Sequence, residues 1–331
     1  MVDSAFTNMY MPRGDQFTGG DGVYSAKLPD GRTVWIFGDT FLGNVTPDNR
    51  RIKTDPLYIR NSFVIPEEGQ LTTFHQGEPH EYKSMMIPPE VADGSSGFSE
   101  LDLWYWPGDA FIEEGNLNVF VSKFYQKEKD MWGFRFVETE LFEFSLPDFQ
   151  QLRVNDFGDL DSIHFGHAVC PTETFTYIYG LKNQFPYVAR APKGKVRGKW
   201  EFYNGSSWVS DAKKAVPMVK FSGSEQFSVF QWDETFIMIM QEGGLGRKIY
   251  SFIAKTPYGP WTNQQMIYKT PLLDNCKDCW TYNALAHPQF TEEDMLLISY
   301  NTNSMVLQDH YDNALIYRPR FIRVPIENII E

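Results

Sequence analysis

The chain has 331 residues, 42% of them hydrophobic and 16% aromatic (27 Phe, 17 Tyr, 9 Trp), which excludes disorder and suits sheets packed through bulky side chains. Forty-three acidic residues against 30 basic ones give a net charge of -13, which argues against nucleic acid or an anionic membrane surface as partner and favours a neutral ligand. No stretch reaches the roughly 20 apolar residues that cross a bilayer, so membrane insertion is not expected.

The start, Met1-Val2-Asp3-Ser4, lacks the basic and apolar segments of a signal peptide. As written, the chain reads as a soluble cytoplasmic protein, or as a secreted or periplasmic one whose leader has been removed. A length of this order fits one large domain or two ordinary ones.

In chain order, the first predicted element is a hairpin: residues 23–28, the turn Pro29-Asp30-Gly31, and residues 33–37. The same arrangement returns four times. Gly108-Asp109-Ala110-Phe111 precedes a turn at Gly115, Gly166-His167-Ala168-Val169 one at Thr174, Phe227-Ser228-Val229-Phe230 one at Asp233, and His287-Pro288-Gln289-Phe290 one at Glu292. Each turn is followed by an apolar strand, at residues 117–124, 175–179, 236–240 and 295–300. The interval is about 59 residues, in the range of supersecondary units that bury their apolar faces only against neighbours.

Further strands complete each unit, at 185–190 and 200–203 in the third, at 249–255 and 265–269 in the fourth, and at 314–317 and 320–325 in the fifth. Four antiparallel strands per unit are a propeller blade, so the chain is expected to be all-β, a single five-bladed β-propeller over 1–331. The blades fall at roughly 17–75, 104–155, 163–210, 218–270 and 282–331, with an insertion loop at about 75–103 that is rich in Pro, Gly and Ser. The segment around Met9 to Met11 is a candidate for completing a blade from the other end of the chain.

In a propeller the first strand of every blade lines the central channel, and its early residues converge at one mouth. Those positions are Asp21, Asp109, His167, Glu225 and His287. Carboxylates facing one another across a pocket suit glycosidic cleavage, since one protonates the departing oxygen while another activates water or attacks the sugar carbon. Taken singly, each residue has an ordinary alternative. Asp21 and Asp109 follow glycines as turn aspartates do, Glu225 follows Ser222-Gly223-Ser224 as a solvated loop acid would, and lone histidines are commonly structural.

Asp39, Gln241 and Glu242 close second strands, and Asn283, Arg318, Arg320 and Trp106 lie near the same mouth, as candidates for substrate binding or for orienting the ring. Trp104, Trp280 and Tyr282 could stack on sugar rings or pack between blades. Asp156, Asp159 and Asp161 form an acidic run without a complete calcium-loop pattern. Cys276 and Cys279 form a CxxC that fits a redox pair, half of a zinc site or two ordinary thiols. No cofactor is required by this reading, though a structural or channel-bound calcium ion is compatible with it.

Gly20-Asp21-Gly22-Val23-Tyr24-Ser25, the stretch Leu28-Pro29-Asp30-Gly31-Arg32-Thr33-Val34-Trp35-Ile36-Phe37-Gly38-Asp39-Thr40, Tyr258-Gly259-Pro260-Trp261 and Ser299-Tyr300-Asn301-Thr302-Asn303 resemble the domain-of-unknown-function families 4185 and 5005. These are similar in architecture to the five-bladed propeller enzymes of glycoside hydrolase families 43 and 32. The resemblance implies a glycoside hydrolase acting on a polysaccharide or oligosaccharide, arabinan-like furanosides foremost, as a monomer; the alternative is a non-catalytic glycan-binding propeller. In those enzymes a first-blade acid is base or nucleophile, a second-blade Asp tunes the site, and a third-blade Glu is the general acid. Asp21 and Asp109 match the first two places; the third blade offers His167, so the acid role passes to Glu225 of the fourth.

Overall fold

The computed structural model describes residues 1–11, 17–78, 81–274 and 276–330, together with the main chain of Gln16. Among the described residues are six antiparallel sheets: a two-stranded one pairs Gln16–Gly20 with Thr40–Gly43, and the other five follow one another along the chain. The first comprises Tyr24–Lys27, Thr33–Phe37, Ser62–Glu67 and Gln70–Phe74, and the second Leu103–Glu113, Asn116–Gln126, Phe134–Phe144 and Gln151–Asp156. The third adds a short fifth strand, Trp208–Val209, to His164–Pro171, Phe175–Lys182, Phe185–Pro192 and Glu201–Tyr203. The fourth is Gly223–Trp232, Thr235–Glu242, Lys248–Ala254 and Thr262–Lys269, and the fifth is Cys279–Glu292, Met295–Ser304 and Arg320–Pro325.

The first strand of each sheet packs against the first strands of the sheets before and after it, and the circuit closes from the fifth sheet back to the first. The molecule is therefore a five-bladed β-propeller. Its core is divided among the blade interfaces, because each sheet has two apolar faces and meets a neighbour on both. Phe120, Leu141 and Ile178 fill the space between blades 2 and 3, Tyr179, Phe227 and Met238 that between blades 3 and 4, and Ile237, Leu296 and Ile322 that between blades 4 and 5. Burial of one such side chain stabilises by roughly 1.5–3 kcal/mol, so each interface contributes on its own account.

The seam between blades 5 and 1 recruits Tyr10 beside Trp35, Phe37 and Phe321. Here the N-terminus supplies what the three-stranded fifth sheet lacks: Val2 bridges Ile322 antiparallel, Asp3 N–H donates to Phe321 O at 2.8 Å, and Arg323 N–H donates to Met1 O at 2.8 Å. The closing residues are Met1 to Asp3 rather than the segment around Met9, which packs as the end of the helix Ser4–Met9.

The expected strand at 314–317 is absent. Buried Arg51 donates to the carbonyls of Ala314 (3.1 Å), Ile316 (2.9 Å) and Thr18 (2.7 Å), and satisfies backbone that a sheet would otherwise pair. Among its described residues the insertion carries one short helix, Pro89–Ala92, and it is tied down by Asn61, whose Nδ2 donates to Met86 O at 2.9 Å and Tyr105 O at 3.0 Å. Cys276 and Cys279 are joined in a disulfide. Among the described residues no helix is long and apolar enough to cross a membrane.

Candidate functional site

The innermost strands share one device. Their ladders slip near the mouth, between Pro107 and Ala110 in blade 2, Phe165 and Ala168 in blade 3, Gly223 and Phe227 in blade 4, and Tyr282 and Leu285 in blade 5. Extra residues at a bulge leave the ladder and re-aim their side chains. The slips fall on Asp109, His167, Glu225 and Asn283, and in blade 1 the corresponding Asp21 lies just before the first strand, its carbonyl accepting from Gly38 N–H at 2.7 Å. Gly166 in the third bulge has φ +97°, a conformation glycine adopts without strain, and a Cβ there would strike the Phe120 side chain at 2.5 Å.

Asp21 and Asp39 form a pair of carboxyl groups. The Tyr282 hydroxyl donates to Asp21 Oδ2 at 2.6 Å, and Tyr317 is a second hydrogen-bond partner. Asp39 accepts from Trp106 Nε1 at 2.8 Å and from Arg60 Nη1 at 3.3 Å. Burial, reinforced by the Asp39 charge, pushes Asp21 up to about 7 against the pull of the two tyrosines. Burial likewise raises Asp39, opposed by Arg60 and Trp106. Arg60 is set by the insertion: its Nε donates to Glu100 O at 3.0 Å and its guanidinium lies 4.0 Å from the Trp104 ring centroid. At Gly38 a Cβ would lie 2.6 Å from Asp21 Oδ1, so a residue without a side chain lets the carboxylate rest on the backbone.

An aromatic wall runs beside this pair. Tyr282 stands 5.9 Å from Trp280, Trp280 6.2 Å from Trp132, Trp132 6.4 Å from Phe134, and Phe134 4.9 Å from Trp106, all between ring centroids. Trp104 and Trp280 are buried, whereas Trp132 is 53% exposed on the hairpin between Asn116–Gln126 and Phe134–Phe144.

Glu225 makes a different cluster. Its Oε1 lies 2.8 Å from His164 Nδ1 and 3.7 Å from His167 Nε2. Burial works to raise the Glu225 carboxyl, but the His164 hydrogen bond and both imidazole charges prevail and hold it below the usual glutamate range. Half of its side-chain surface still reaches solvent. Burial pushes His167 down to about 4. Both Asp109 and Glu225 raise the Tyr24 hydroxyl of blade 1, after burial, so the charges share one channel.

The other candidates are placed as follows. Asp109 Oδ2 accepts from Val169 N–H at 2.7 Å and its Oδ1 from Ala110 N–H at 2.9 Å, linking blades 2 and 3; burial pushes it up to about 7. His287 lies deeper than the bulge, paired with Leu297 just before the ladder slips a second time, between Ser25 Oγ (2.6 Å) and Ser299 Oγ (2.9 Å), and burial pushes it down to about 3. Asn283 occupies the mouth position of blade 5, its Oδ1 accepting from Ser224 Oγ at 2.7 Å and Gln226 N–H at 3.2 Å. Gln241 Nε2 donates to Gly246 O at 2.7 Å and across to Thr281 Oγ1 of blade 5 at 3.3 Å, and Glu242 Oε1 accepts from Arg247 N–H at 2.8 Å within blade 4. Arg318 is buried against Tyr10 O at 3.1 Å, and Arg320 pairs with Tyr300 in the last strand. The acidic run is locally engaged: Asp161 binds Lys182 at 2.6 Å, Asp159 Oδ1 accepts from Asp161 N–H at 2.8 Å, and Asp156 Oδ1 accepts from Gly158 N–H at 2.5 Å.

His164, Tyr317, Arg60 and Trp132 are functional candidates that the sequence did not single out. His164 alone had a legible signal, as a second histidine three residues before His167.

A family model described as "Domain of unknown function (DUF5005)" matches residues 3–327. Among solved structures, a protein of Bacteroides ovatus described as a "putative hydrolase" superposes with a TM-score of 0.84 at 23% identity, covering 98% of this chain and 89% of that one. The glycoside hydrolase family 43 protein BlXynB of Bacillus licheniformis gives 0.54 at 10% identity, covering 89% and 50%. An exo-β-1,3-galactanase of Phanerochaete chrysosporium, in a structure with β-1,3-galactotriose, gives 0.53 at 10%, covering 95% and 64%. At these identities the likeness is one of fold. No curated protein sequence matches.

Proposed function

Since the chain belongs to the DUF5005 family and has the fold of glycoside hydrolase family 43 enzymes, we propose that it is a glycoside hydrolase working at the bulged mouth of the channel. One observation carries the reading: Asp21 is a carboxyl group pushed up to about 7 beside a wall of aromatic rings, the protonation a general acid needs at neutral pH. In this reading the roles expected from the sequence exchange. Asp21 gives its proton to the glycosidic oxygen as the bond to the sugar carbon breaks, and Asp39 keeps that proton on Asp21 through its charge. The attacking water is held on the opposite side by the cluster of Glu225 and its imidazoles, where the carboxylate is ionised.

The substrate is a neutral polysaccharide or oligosaccharide, because the chain is strongly acidic overall and the wall offers ring faces. Arabinan-like furanosides come first among those to test, followed by xylan and β-1,3-galactan. The experiment is release of reducing sugar from this panel. Wild type should release product and Asp21→Asn, which keeps an acceptor for Tyr282 but has no acidic proton, should fall by about 10²–10⁴-fold. Equal release by both would remove Asp21 from the mechanism.

A second reading is favoured by one feature, the histidine His167 at the third-blade place where related enzymes carry their acid. A glycan-binding propeller without catalysis would hold an oligosaccharide on the same wall and return it uncleaved after prolonged incubation.

A further inference from the structure

The bulge in blade 3 does more than aim one side chain. Along a regular strand, residues i and i+3 point to opposite faces. The slip between Phe165 and Ala168 breaks that alternation and brings His164 and His167 to the same side, where the blade 4 bulge delivers Glu225. One nitrogen from each imidazole and a Glu225 carboxylate oxygen all lie within 4.8 Å of one another.

Four-coordinate zinc, with bonds of about 2.0–2.2 Å, separates its ligand atoms by roughly 3.3 Å, so the three atoms already stand near the spacing such an ion imposes. Two rings hold His164 in place, Phe136 at 3.6 Å and Phe124 at 5.8 Å between centroids. His167 is 5% exposed, and among the described residues neither of its ring nitrogens has a hydrogen-bond partner. A buried imidazole without partners is costly unless something outside the protein's own groups engages it. On the open side lies a cavity of about 270 Å³, bordered by His164, Phe136, Ser162, Gln184 and Glu225. Lys182 also borders it, but its charge is taken up by Asp161 at 2.6 Å.

We propose that His164 Nδ1, His167 Nε2 and the Glu225 carboxylate form a binding site for a divalent first-row transition ion, with its fourth position open to this cavity. Two imidazoles and one carboxylate select zinc, cobalt or nickel over calcium, whose preference is for six to eight oxygen ligands. The inference rests on geometry at blades 3 and 4 and stands whether or not the protein cleaves a glycoside.

The test uses the full chain, stripped with a chelator and dialysed. Titration with Zn²⁺ alone should show one ion bound per chain, and Co²⁺ alone should give the intense visible absorption of a four-coordinate N/O site; Ca²⁺ should not compete at equal concentration. His164→Ala, His167→Gln and Glu225→Gln should each weaken Zn²⁺ binding by at least about 10–100-fold. His164 and Glu225 are partly exposed, so those two variants should melt as wild type does, which separates loss of a ligand from loss of fold. His75→Ala, at a histidine elsewhere on the surface, should change nothing. No stoichiometric Zn²⁺ or Co²⁺ binding, or binding that survives Glu225→Gln and His164→Ala undiminished, would overturn the proposal.

Discussion

Asp21 illustrates how one residue's surroundings set both stability and chemistry. Its carboxyl titrates at about 7 in the folded chain against an ordinary value near 4, so the folded state holds its proton more tightly than the unfolded state does. The sign follows directly: its contribution is fully present below pH ~4 and is lost as pH rises to about 7 and beyond. Asp21→Asn should therefore be less destabilised than wild type on going from pH 5 to pH 8, by a few °C in Tm, and a parallel pH dependence of the two proteins would reject the shift. The same titration should appear in activity as an alkaline limb near pH 7 in kcat/KM. Because the Asp39 charge is the second cause of the shift, after burial, Asp39→Asn should move that limb to lower pH. A limb that stays in place would mean that Asp21 is not the titrating acid.

At the level of elements, the sequence repeat carried the fold because each blade spends its apolar residues on two interfaces and must advertise them at a fixed interval. It carried the mouth less evenly. A step of 58 residues leads from Asp109 to His167 to Glu225, and one step more leads to Asn283, the residue at the fifth bulge. Aligning on the turn instead placed His287 there. The fifth inner strand, Cys279–Glu292, has 14 residues against 8 in blade 3, so its turn lies farther from the mouth. Arg60, Tyr317 and Trp132 were illegible for another reason, since each comes from a connection whose position depends on contacts distant in the chain. The Trp132 hairpin is braced by Gln126 Nε2 donating to Asp130 O at 2.9 Å and Lys127 N–H donating to Gly133 O at 2.9 Å, which holds the half-exposed ring beside Trp280. If this ring stacks on the sugar, Trp132→Ala should raise KM about fivefold, equivalent to roughly 1 kcal/mol, with kcat nearly unchanged. An unchanged KM on the best substrate would take Trp132 out of the binding surface.

The whole molecule depends on how the ring is closed. Four of its five interfaces join blades that follow one another along the chain, whereas the fifth joins the last blade to the first, and there the N-terminal residues lie along the outer strand of blade 5. There Met1 to Asp3 add backbone pairing along Ile322, Asp3 pairs with Arg323 at 2.9 Å, and Thr7 Oγ1 accepts from Phe321 N–H at 3.1 Å. The partly buried Asp3 carboxyl sits below the usual range because the hydrogen bonds from Phe6 N–H and Arg323 outweigh the effect of burial. A hydrogen bond of this kind contributes about 0.5–1.5 kcal/mol, so three or four together amount to a few kcal/mol localised at one seam. Deleting residues 1–3 should lower Tm by several °C while leaving the grouping of His164, His167 and Glu225 intact, because Met1 to Asp3 pair with the outer strand of blade 5 and not with blades 3 or 4. Native-state hydrogen exchange would make the same point spatially: in the deletion variant, amides of Arg320–Pro325 should lose protection first, and those of Phe175–Lys182 last. Equal loss of protection across all five blades would mean that closure is shared by every interface, and that the N-terminal residues are an ornament of the ring rather than its fastener.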